Sequence, residues 1–219
     1  AQVAGMTSDQ FKALSTDDLG AISSAGFRGI NSAQIGAMTS DQIVALSTAQ
    51  FASLSSQQVA GLRTDQIGQL ETDDLRAMSS AALRSLSTDQ FNALTTDQIG
   101  MLTSAQVVSL TTGQIKGLST EDLTALVSDQ YKVLSSNQVA VLTTDQLKAL
   151  QTEDLAAISS TGIRGLSSDQ ISALTTDGIA ALSTVQMASL SSAQVLGLRT
   201  DQIIKLESDD LRALSTAAL

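Results

Sequence analysis

Apolar residues recur along this chain with a fixed period of eight. From Thr7 to Leu214 the sequence divides into 26 octads without an insertion or deletion. Position 5 of every octad is apolar or aromatic, and position 8 is Leu, Ile or Met. Self-similarity at a fixed period is typical of architectures in which each unit buries its apolar face against neighbouring units. We therefore predict that positions 5 and 8 form the core.

The polar positions predict a short helix in each octad. The consensus is S/T-S/T-D-Q-I-x-A-L, as in residues 143–150. Ser or Thr at position 1 with Gln at position 4 forms a capping box, and the apolar residues at position 8 of the previous octad and at position 5 form a hydrophobic staple. Acidic residues at positions 3 and 4 and basic residues at position 6 suit the helix dipole.

The period also requires each helix to stop. Eight residues at about 100° each would rotate a continuous apolar stripe by roughly 80° per octad, so no single face would form. We predict an all-α solenoid with one short helix per octad. The alternative is a β-solenoid, in which short repeats with a Thr column and an aliphatic column also occur. It fits less well, because the glycines are scattered over several positions.

Positions 2, 7 and 1 of the octad bear on how neighbouring coils pack and on where each helix is capped. Position 2 is Ser or Thr in all 26 octads, so either the cap slides to position 2 or these hydroxyls bond to the backbone of a neighbouring coil. Position 7 is Ala, Gly or Ser in 21 octads, which predicts close backbone approach. Position 1 departs from Ser or Thr in seven octads, at Asn31, Arg63, Glu71, Val127, Gln151, Arg199 and Glu207.

The domain organisation predicted is a single continuous array over residues 1–219. A longer period is superimposed on it, because residues 1–83 match residues 137–219 at 56 of 83 positions, an offset of 17 octads. This period indicates either duplication of a 17-octad block or an integer number of superhelical turns. If it reflects turns, a coil of two octads is disfavoured, since 17 is odd. The chain begins and ends within repeats, so we expect it to be a segment of a longer protein.

Candidate catalytic chemistry is sparse. The sequence has no His and no Cys, so the many Ser residues have no imidazole to activate them, and we predict that the chain is not an enzyme. We predict no catalytic, cofactor-binding or metal-binding residues and no cofactor. Acidic pairs could serve as calcium ligands, but first-turn acids that favour the helix dipole are the preferred interpretation. These pairs lie at residues 17–18, 73–74, 121–122, 153–154 and 209–210.

Charge and hydropathy narrow the range of partners. The formal net charge of −10 argues against nucleic acid, and no apolar run is long enough to insert in a membrane. All five aromatic residues lie at position 5, in the predicted core, which argues against a small-molecule substrate that needs a stacking surface. The expected partners are copies of the chain or neighbouring repeats, packed end to end or laterally. Aliphatic residues at the solvent-facing position 6 are candidate lateral contacts, namely Val44, Val108, Leu196 and Ile204.

The octad resembles a known type of repeat. Residues 87–94, S-T-D-Q-F-N-A-L, look like the octapeptide tracts of very large bacterial surface or secreted proteins that are described as adhesin-like. The resemblance covers the whole chain and implies an exported, acidic, cysteine-free scaffold outside the cell. We therefore expect a structural stalk or filament at the bacterial cell surface. The alternative is a binding or adhesion module that uses a superhelical groove.

Overall fold

The computed structural model of the chain describes residues 3–217 and is entirely helical over that range. A single 3-10 turn, Val3–Gly5, precedes 26 α-helices, and each helix begins in the octad of the same number. No strand occurs among the described residues, so the all-α solenoid is confirmed and the β-solenoid alternative is wrong. The helices are α1 Ser8–Lys12, α2 Thr16–Ala21, α3 Ser24–Phe27, α4 Ser32–Ala37, α5 Ser40–Val44, α6 Thr48–Ser53, α7 Ser56–Val59, α8 Thr64–Ile67, α9 Thr72–Ala77, α10 Ser80–Arg84, α11 Thr88–Phe91, α12 Thr96–Gly100, α13 Ser104–Ser109, α14 Thr112–Gly117, α15 Thr120–Thr124, α16 Ser128–Tyr131, α17 Ser136–Ala140, α18 Thr144–Ala149, α19 Thr152–Ala157, α20 Ser160–Ile163, α21 Ser168–Ala173, α22 Thr176–Ala180, α23 Thr184–Ala188, α24 Ser192–Leu196, α25 Thr200–Ile203 and α26 Ser208–Ala217.

The helices begin where the capping box predicts. In the sixth octad, Ser47 is the N-cap in an extended conformation, and its hydroxyl accepts a hydrogen bond from the amide of Gln50 at 3.4 Å. The side-chain oxygen of Gln50 accepts the amide hydrogen of Ser47 in return, at 2.7 Å. Position 1 is the N-cap throughout α1 to α25, so the cap does not slide to position 2.

The box survives in part where position 1 departs from Ser or Thr. Asn31 still caps its helix, since its side-chain oxygen accepts the amide of Gln34 at 2.9 Å. Five other N-cap residues make no side-chain cap bond, namely Arg63, Glu71, Val127, Gln151 and Arg199. Even so, Gln130 accepts the amide of Val127 at 2.7 Å, so the half of the box supplied by position 4 remains.

Each helix ends in a corner that needs no glycine. The amide of Leu54 bonds back to the carbonyl of Phe51 at 3.2 Å, which tightens the last turn, and Leu54 then adopts an extended conformation with φ −66° and ψ 133°. No described residue has a positive φ. Because the corner uses only backbone conformations open to any L-residue, the octad has no obligatory glycine column.

The chain forms two compact units, residues 1–110 and 111–219, and both units stack their helices by the same rule. A helix packs on the helix three octads further along, as in α1 on α4 and α6 on α9 in the first unit and α16 on α19 and α23 on α26 in the second. Side-chain hydrogen bonds reach back 28 to 31 residues, into the octad four units earlier. A turn therefore contains between three and four octads, which confirms that a coil of two octads does not occur.

The core consists of positions 5 and 8, as predicted. The five aromatic residues at position 5 are completely buried, and in the interior of each unit the position 8 residues are at most a few per cent exposed. Ile203 and Leu211, in the last turn that the structure describes, are 42% and 45% exposed.

Position 7 lies against the preceding turn. A Cβ atom placed on Gly61 would lie 2.5 Å from the carbonyl oxygen of Ser32, three octads earlier. Gly165 and Gly197 in the second unit meet Ser136 and Ser168 in the same way. The close backbone approach expected from the small residues at position 7 is confirmed.

Hydroxyls at positions 7 and 2 both make hydrogen bonds between turns. Where position 7 is Ser, its hydroxyl bridges the turns, as Ser85 does to the carbonyl of Ser56 at 2.8 Å. The hydroxyl of Ser56 in turn donates to the carbonyl of Ala81, three octads later, at 3.1 Å. Ser24 and Ser80 make the equivalent bonds, so position 2 hydroxyls do bond to the backbone of a neighbouring coil.

The close approach at position 7 can be tested with a pair of Gly→Ala variants. Gly61→Ala should lower the free energy of unfolding by about 1–3 kcal/mol, because the new methyl group forces the turns apart. Gly20→Ala is the control, since a Cβ there meets nothing within 4 Å. It should raise stability by about 0.5–1 kcal/mol through helix propensity alone. Urea unfolding followed by circular dichroism measures both, and equal effects of the two changes would refute the close approach.

Candidate functional site

The side chains that join successive turns are the glutamines at position 4. We call them the glutamine ladder, which has one segment in each unit. Its members include Gln34, Gln42, Gln50, Gln58, Gln66, Gln90, Gln98 and Gln106 in the first unit and Gln146, Gln170, Gln186, Gln194 and Gln202 in the second. All but Gln90 are buried.

A ladder glutamine uses both ends of its amide. Oε1 of Gln58 accepts the N-cap amide of Ser55 at 2.8 Å, which closes the capping box of its own helix. Nε2 of Gln58 donates to the carbonyl oxygens of Phe27 and Ile30 at 2.7 and 2.8 Å. These acceptors are positions 5 and 8 of the octad four units earlier. One side chain therefore caps its helix and also fixes the distance to the preceding turn.

The sequence revealed only the first of these roles. A capping box is complete within four residues, so the Oε1 bond follows from the octad alone. The Nε2 bond depends on which octads lie opposite each other, which the repeat does not state. Gln66, Gln130 and Gln202 occur where the cap residue is not Ser or Thr, but their Oε1 atoms still accept the N-cap amide there, so their presence does not by itself indicate an inter-turn bond.

The inter-turn role of the ladder glutamines can be tested at two adjacent residues, Gln57 and Gln58. Gln58→Glu should destabilise the first unit by about 2–4 kcal/mol at neutral pH, because a carboxylate cannot donate and would face two carbonyl oxygens while buried. Gln57→Glu is the matched control, since Gln57 is exposed and an acid in the first turn suits the helix dipole. Chemical denaturation should show a large loss for the first variant and at most a few tenths of a kcal/mol for the second. A small loss for Gln58→Glu would contradict the inter-turn role.

Arginine at position 1 supplies a second inter-turn bond in each unit. Nε and Nη2 of Arg63 pair with the carboxylate of Asp65 at 2.9 and 2.8 Å, while Nη1 donates to the carbonyl oxygens of Met38, at 3.0 Å, and Gly36. Arg199 holds Asp201 in the same way at 3.0 and 3.1 Å. These arginines lower the pKa of the two aspartates. The octads that lose a capping side chain here gain a bond to the preceding turn.

Acidic pairs place one carboxylate at position 4, where the ladder otherwise has an amide. Asp18, in the first turn of the chain, is exposed, and hydrogen bonds from Ser15 lower its pKa. Asp74 is only 4% exposed, and burial raises its pKa. Asp154 is half-buried, and its pKa is raised for the same reason. Within residues 3–217 no three acidic side chains come together in an arrangement that could hold a metal ion.

A tyrosine replaces the missing amide donor opposite Asp154. The octad four units before Asp154 contains Leu123 at position 5, the residue whose carbonyl a ladder glutamine at 154 would reach. The hydroxyl of Tyr131 donates to that carbonyl oxygen at 2.5 Å. Burial raises the pKa of Tyr131, and the charge of Asp154 raises it further, so the hydroxyl keeps its proton. The hydroxyl thus satisfies an acceptor that a carboxylate cannot.

A double-mutant cycle tests this compensation. Tyr131→Phe should cost about 1 kcal/mol of unfolding free energy, because the buried carbonyl of Leu123 loses one of its two donors and keeps only the amide of Leu126. In an Asp154→Gln background the new amide competes for the same carbonyl, so the cost of Tyr131→Phe should fall. The coupling is measured by denaturant unfolding of the four proteins. Strict additivity would show that the hydroxyl does not substitute for the ladder amide.

The surface carries open clefts and isolated aliphatic residues. In the first unit a cleft is lined by Ser32, Gly36, Gly61 and Arg63 among others. In the second unit the residues 136 positions later, Ser168, Ser172, Gly197 and Arg199, line two adjoining clefts. The aliphatic residues predicted to be exposed at position 6 are exposed, Val44 by 37%, Val108 by 53%, Leu196 by 86% and Ile204 by 74%. Over the described part of the chain, no helix has the length and apolar character needed to span a membrane.

The fold and the ladder define a class, the α-solenoid repeat proteins. The model of one family, the ALTTAQ repeat, matches five stretches of the chain, residues 11–48, 43–72, 67–104, 116–152 and 147–184. These stretches cover well over half of the sequence, so the chain belongs to the ALTTAQ repeat family. None of the curated proteins matches it.

Proposed function

We propose that this chain forms the body of a stalk or filament at the bacterial cell surface. The observation that carries the proposal is that both units use the same inter-turn bonds at eight-residue steps. Gln50 and Gln194, in different units, each donate to carbonyls 28 and 31 residues earlier. Because the contacts between turns reach only octads three or four units away, octads can be added without changing the existing contacts. That property suits a spacer whose repeat number sets its reach.

The surface chemistry supports a scaffold role outside the cell. The sequence has 22 acidic and 12 basic residues, which favours solubility and repels polyanions. Its aromatic side chains are all in the core, so they offer no stacking surface for a sugar or base. The absence of cysteine is compatible with an extracellular setting. We propose a structural protein without enzymatic activity and with other copies of itself as the main partner.

A binding or adhesion module is the second candidate. It is favoured by the clefts around Arg63 and Arg199, because equivalent residues line a cleft in each unit. Two equivalent clefts on one chain would allow a bivalent contact with a repetitive partner. The scaffold is preferred because the guanidinium of each arginine is already bonded to an aspartate and to backbone carbonyls.

Negative-stain electron microscopy of the purified chain distinguishes the two, with circular dichroism to confirm the helical fold. Long uniform fibres would support a filament. Dispersed particles that remain monomeric in sedimentation would exclude a filament, and a monomeric stalk or a binding module would remain as the candidate functions. Mutating Arg63 and Arg199 to Ala then separates those, since loss of attachment to cells or matrix without loss of fold favours the binding module.

The lateral contacts have their own test. If fibres form, Val108→Lys and Leu196→Lys should weaken them, because a lysine replaces an exposed aliphatic side chain at a contact. Asn92→Lys is the matched control, because it adds the same charge at position 6, at an exposed residue, without removing an aliphatic side chain. Sedimentation of fibres at a series of protein concentrations should show a raised critical concentration for the first two variants only. Unchanged assembly would exclude these two residues as lateral contacts.

A further inference from the structure

Position 4 side chains lie in register with backbone carbonyls of the preceding turn, although a Cβ atom built on Gly178 meets side-chain atoms of Leu155 and Thr175 and no carbonyl within 4 Å. Where position 4 is Gly162, a Cβ atom built on it lies 3.1 Å from the carbonyl oxygen of Leu134, which is position 8 of the octad four units earlier. Ladder glutamines place their Nε2 on that same carbonyl, as Gln66 does on Met38 at 2.7 Å. An aspartate at position 4 therefore lies in register with a position 8 carbonyl to which a ladder glutamine would donate a hydrogen bond.

We propose that Asp74 and Asp154 are pH-sensitive links between turns of the solenoid. An ionised carboxylate can only accept hydrogen bonds, so it cannot bond to the carbonyls in front of it. A protonated carboxyl group has one O–H donor and can make the bond that the glutamine amide makes elsewhere. For Asp74 the carbonyls in register are those of Ile43 and Leu46. For Asp154 only Leu126 is left, because Tyr131 already donates to Leu123. The hydrogen bonds from these carboxyl groups to the preceding turn therefore form as the pH falls.

The charges around Asp74 favour its protonated form. On its own helix, α9, Glu71 and Asp73 are acidic and lie close to it. Arg76 is on the exposed part of α9. Of the helices packed on α9, α6 carries no titratable residue, while α12 carries Asp97, which is exposed. The fifth octad, which supplies the two carbonyls, adds the exposed Asp41. The hydroxyl of Thr48, on α6, bonds to Asp74 and opposes the effect of burial.

The surroundings of Asp154 are similar. Glu153 precedes it, and Tyr131 on α16 faces it. One carboxylate oxygen of Asp154 accepts the amide of Gln151 at 3.1 Å, which opposes the effect of burial, so the other oxygen is the one available for the link. The other charges of the α16 octad, Asp129 and Lys132, pair with each other at 2.8 Å on the exposed surface. The remaining charges are acidic, namely Asp177 on α22 and Glu121 and Asp122 in the octad that supplies the carbonyls. No described basic side chain pairs with Asp154.

The direction of the pH effect follows from linkage. Burial, with help from the neighbouring acids, raises the pKa of both aspartates above the usual value near 3.8. Between the unfolded and folded pKa values the folded chain holds more protons, so these groups add stability as the pH falls through that interval and lose it as the pH rises. Asp65 and Asp201 act in the opposite sense, because their pKa values are lowered. The effect of the links must therefore be isolated by comparing variants.

The comparison uses variants that donate at every pH. Thermal unfolding of the full chain is followed from pH 7.5 to 4.0 at constant ionic strength for the original sequence, Asp74→Gln, Asp74→Asn and Asp154→Gln. At pH 7.5 Asp74→Gln should raise Tm by about 2–4 °C, since it restores one inter-turn bond, and the gain should shrink toward pH 4. The gain for Asp154→Gln should be smaller. Asp145→Asn, at the exposed position 3, is the control and should show no such convergence.

A second measurement keeps the proposal testable if a glutamine does not fit at position 74. The titration of the Asp74 carboxyl carbon by NMR in the unmodified chain should have its midpoint above that of the exposed Asp18. A midpoint at or below that of Asp18 would overturn the proposal. A pH-independent difference in Tm between the original chain and Asp74→Gln would also overturn it. Neither result bears on whether the chain forms a stalk or filament.

Discussion

The structure depends on the primary amide of glutamine, which is both donor and acceptor at one point. At Gln58 the oxygen holds the N-cap of its own helix while the nitrogen holds two carbonyls of the preceding turn. Helices α1 to α25 have four to six residues, and helices this short cannot persist alone in water, because nucleation costs more than so few hydrogen bonds return. Their ends also leave many backbone groups unsatisfied. The ladder meets both needs, since it completes the first turn of one helix with the same group that satisfies the C-terminal carbonyls of another.

The exceptions at position 4 show how strict this requirement is. Glycine and alanine leave the carbonyls without a side-chain donor but add no charge, whereas aspartate places an acceptor against acceptors. At Asp154 the structure answers with the hydroxyl of Tyr131, which comes from a different octad and reaches the carbonyl of Leu123. At Asp74 the hydroxyl of Thr48 bonds to the carboxylate itself. Both compensations come from other octads, so the repeat is constrained by its neighbours in space as well as by its own consensus.

Sequence reasoning succeeded where eight residues contain the whole interaction. The cap of Ser47, the core positions and the break between helices all follow from local spacing and helix geometry. Sequence reasoning could not predict the number of octads per turn, because this number depends on the combined angles of all the corners and is not set by any single residue. The inter-turn bond of Gln58 was missed for the same reason. The alternatives left open at position 2 were decided only by stacking, which showed a cap at position 1 and, separately, a hydroxyl such as Ser56 bonded to the next turn.

A turn that holds between three and four octads has a mechanical consequence within each unit. With three octads per turn, every helix would sit on one other helix, and the unit would consist of three separate columns. Here α8 packs on α5, and Gln66 in α8 bonds to the octad of α4, so one octad is tied to two octads of the turn below. These contacts connect the columns of helices to one another. A less stable octad such as that of Asp74 is therefore held in place by the octads around it. Substitutions that would break an isolated column can therefore be tolerated in the array, which allows position 4 to vary without interrupting the coil.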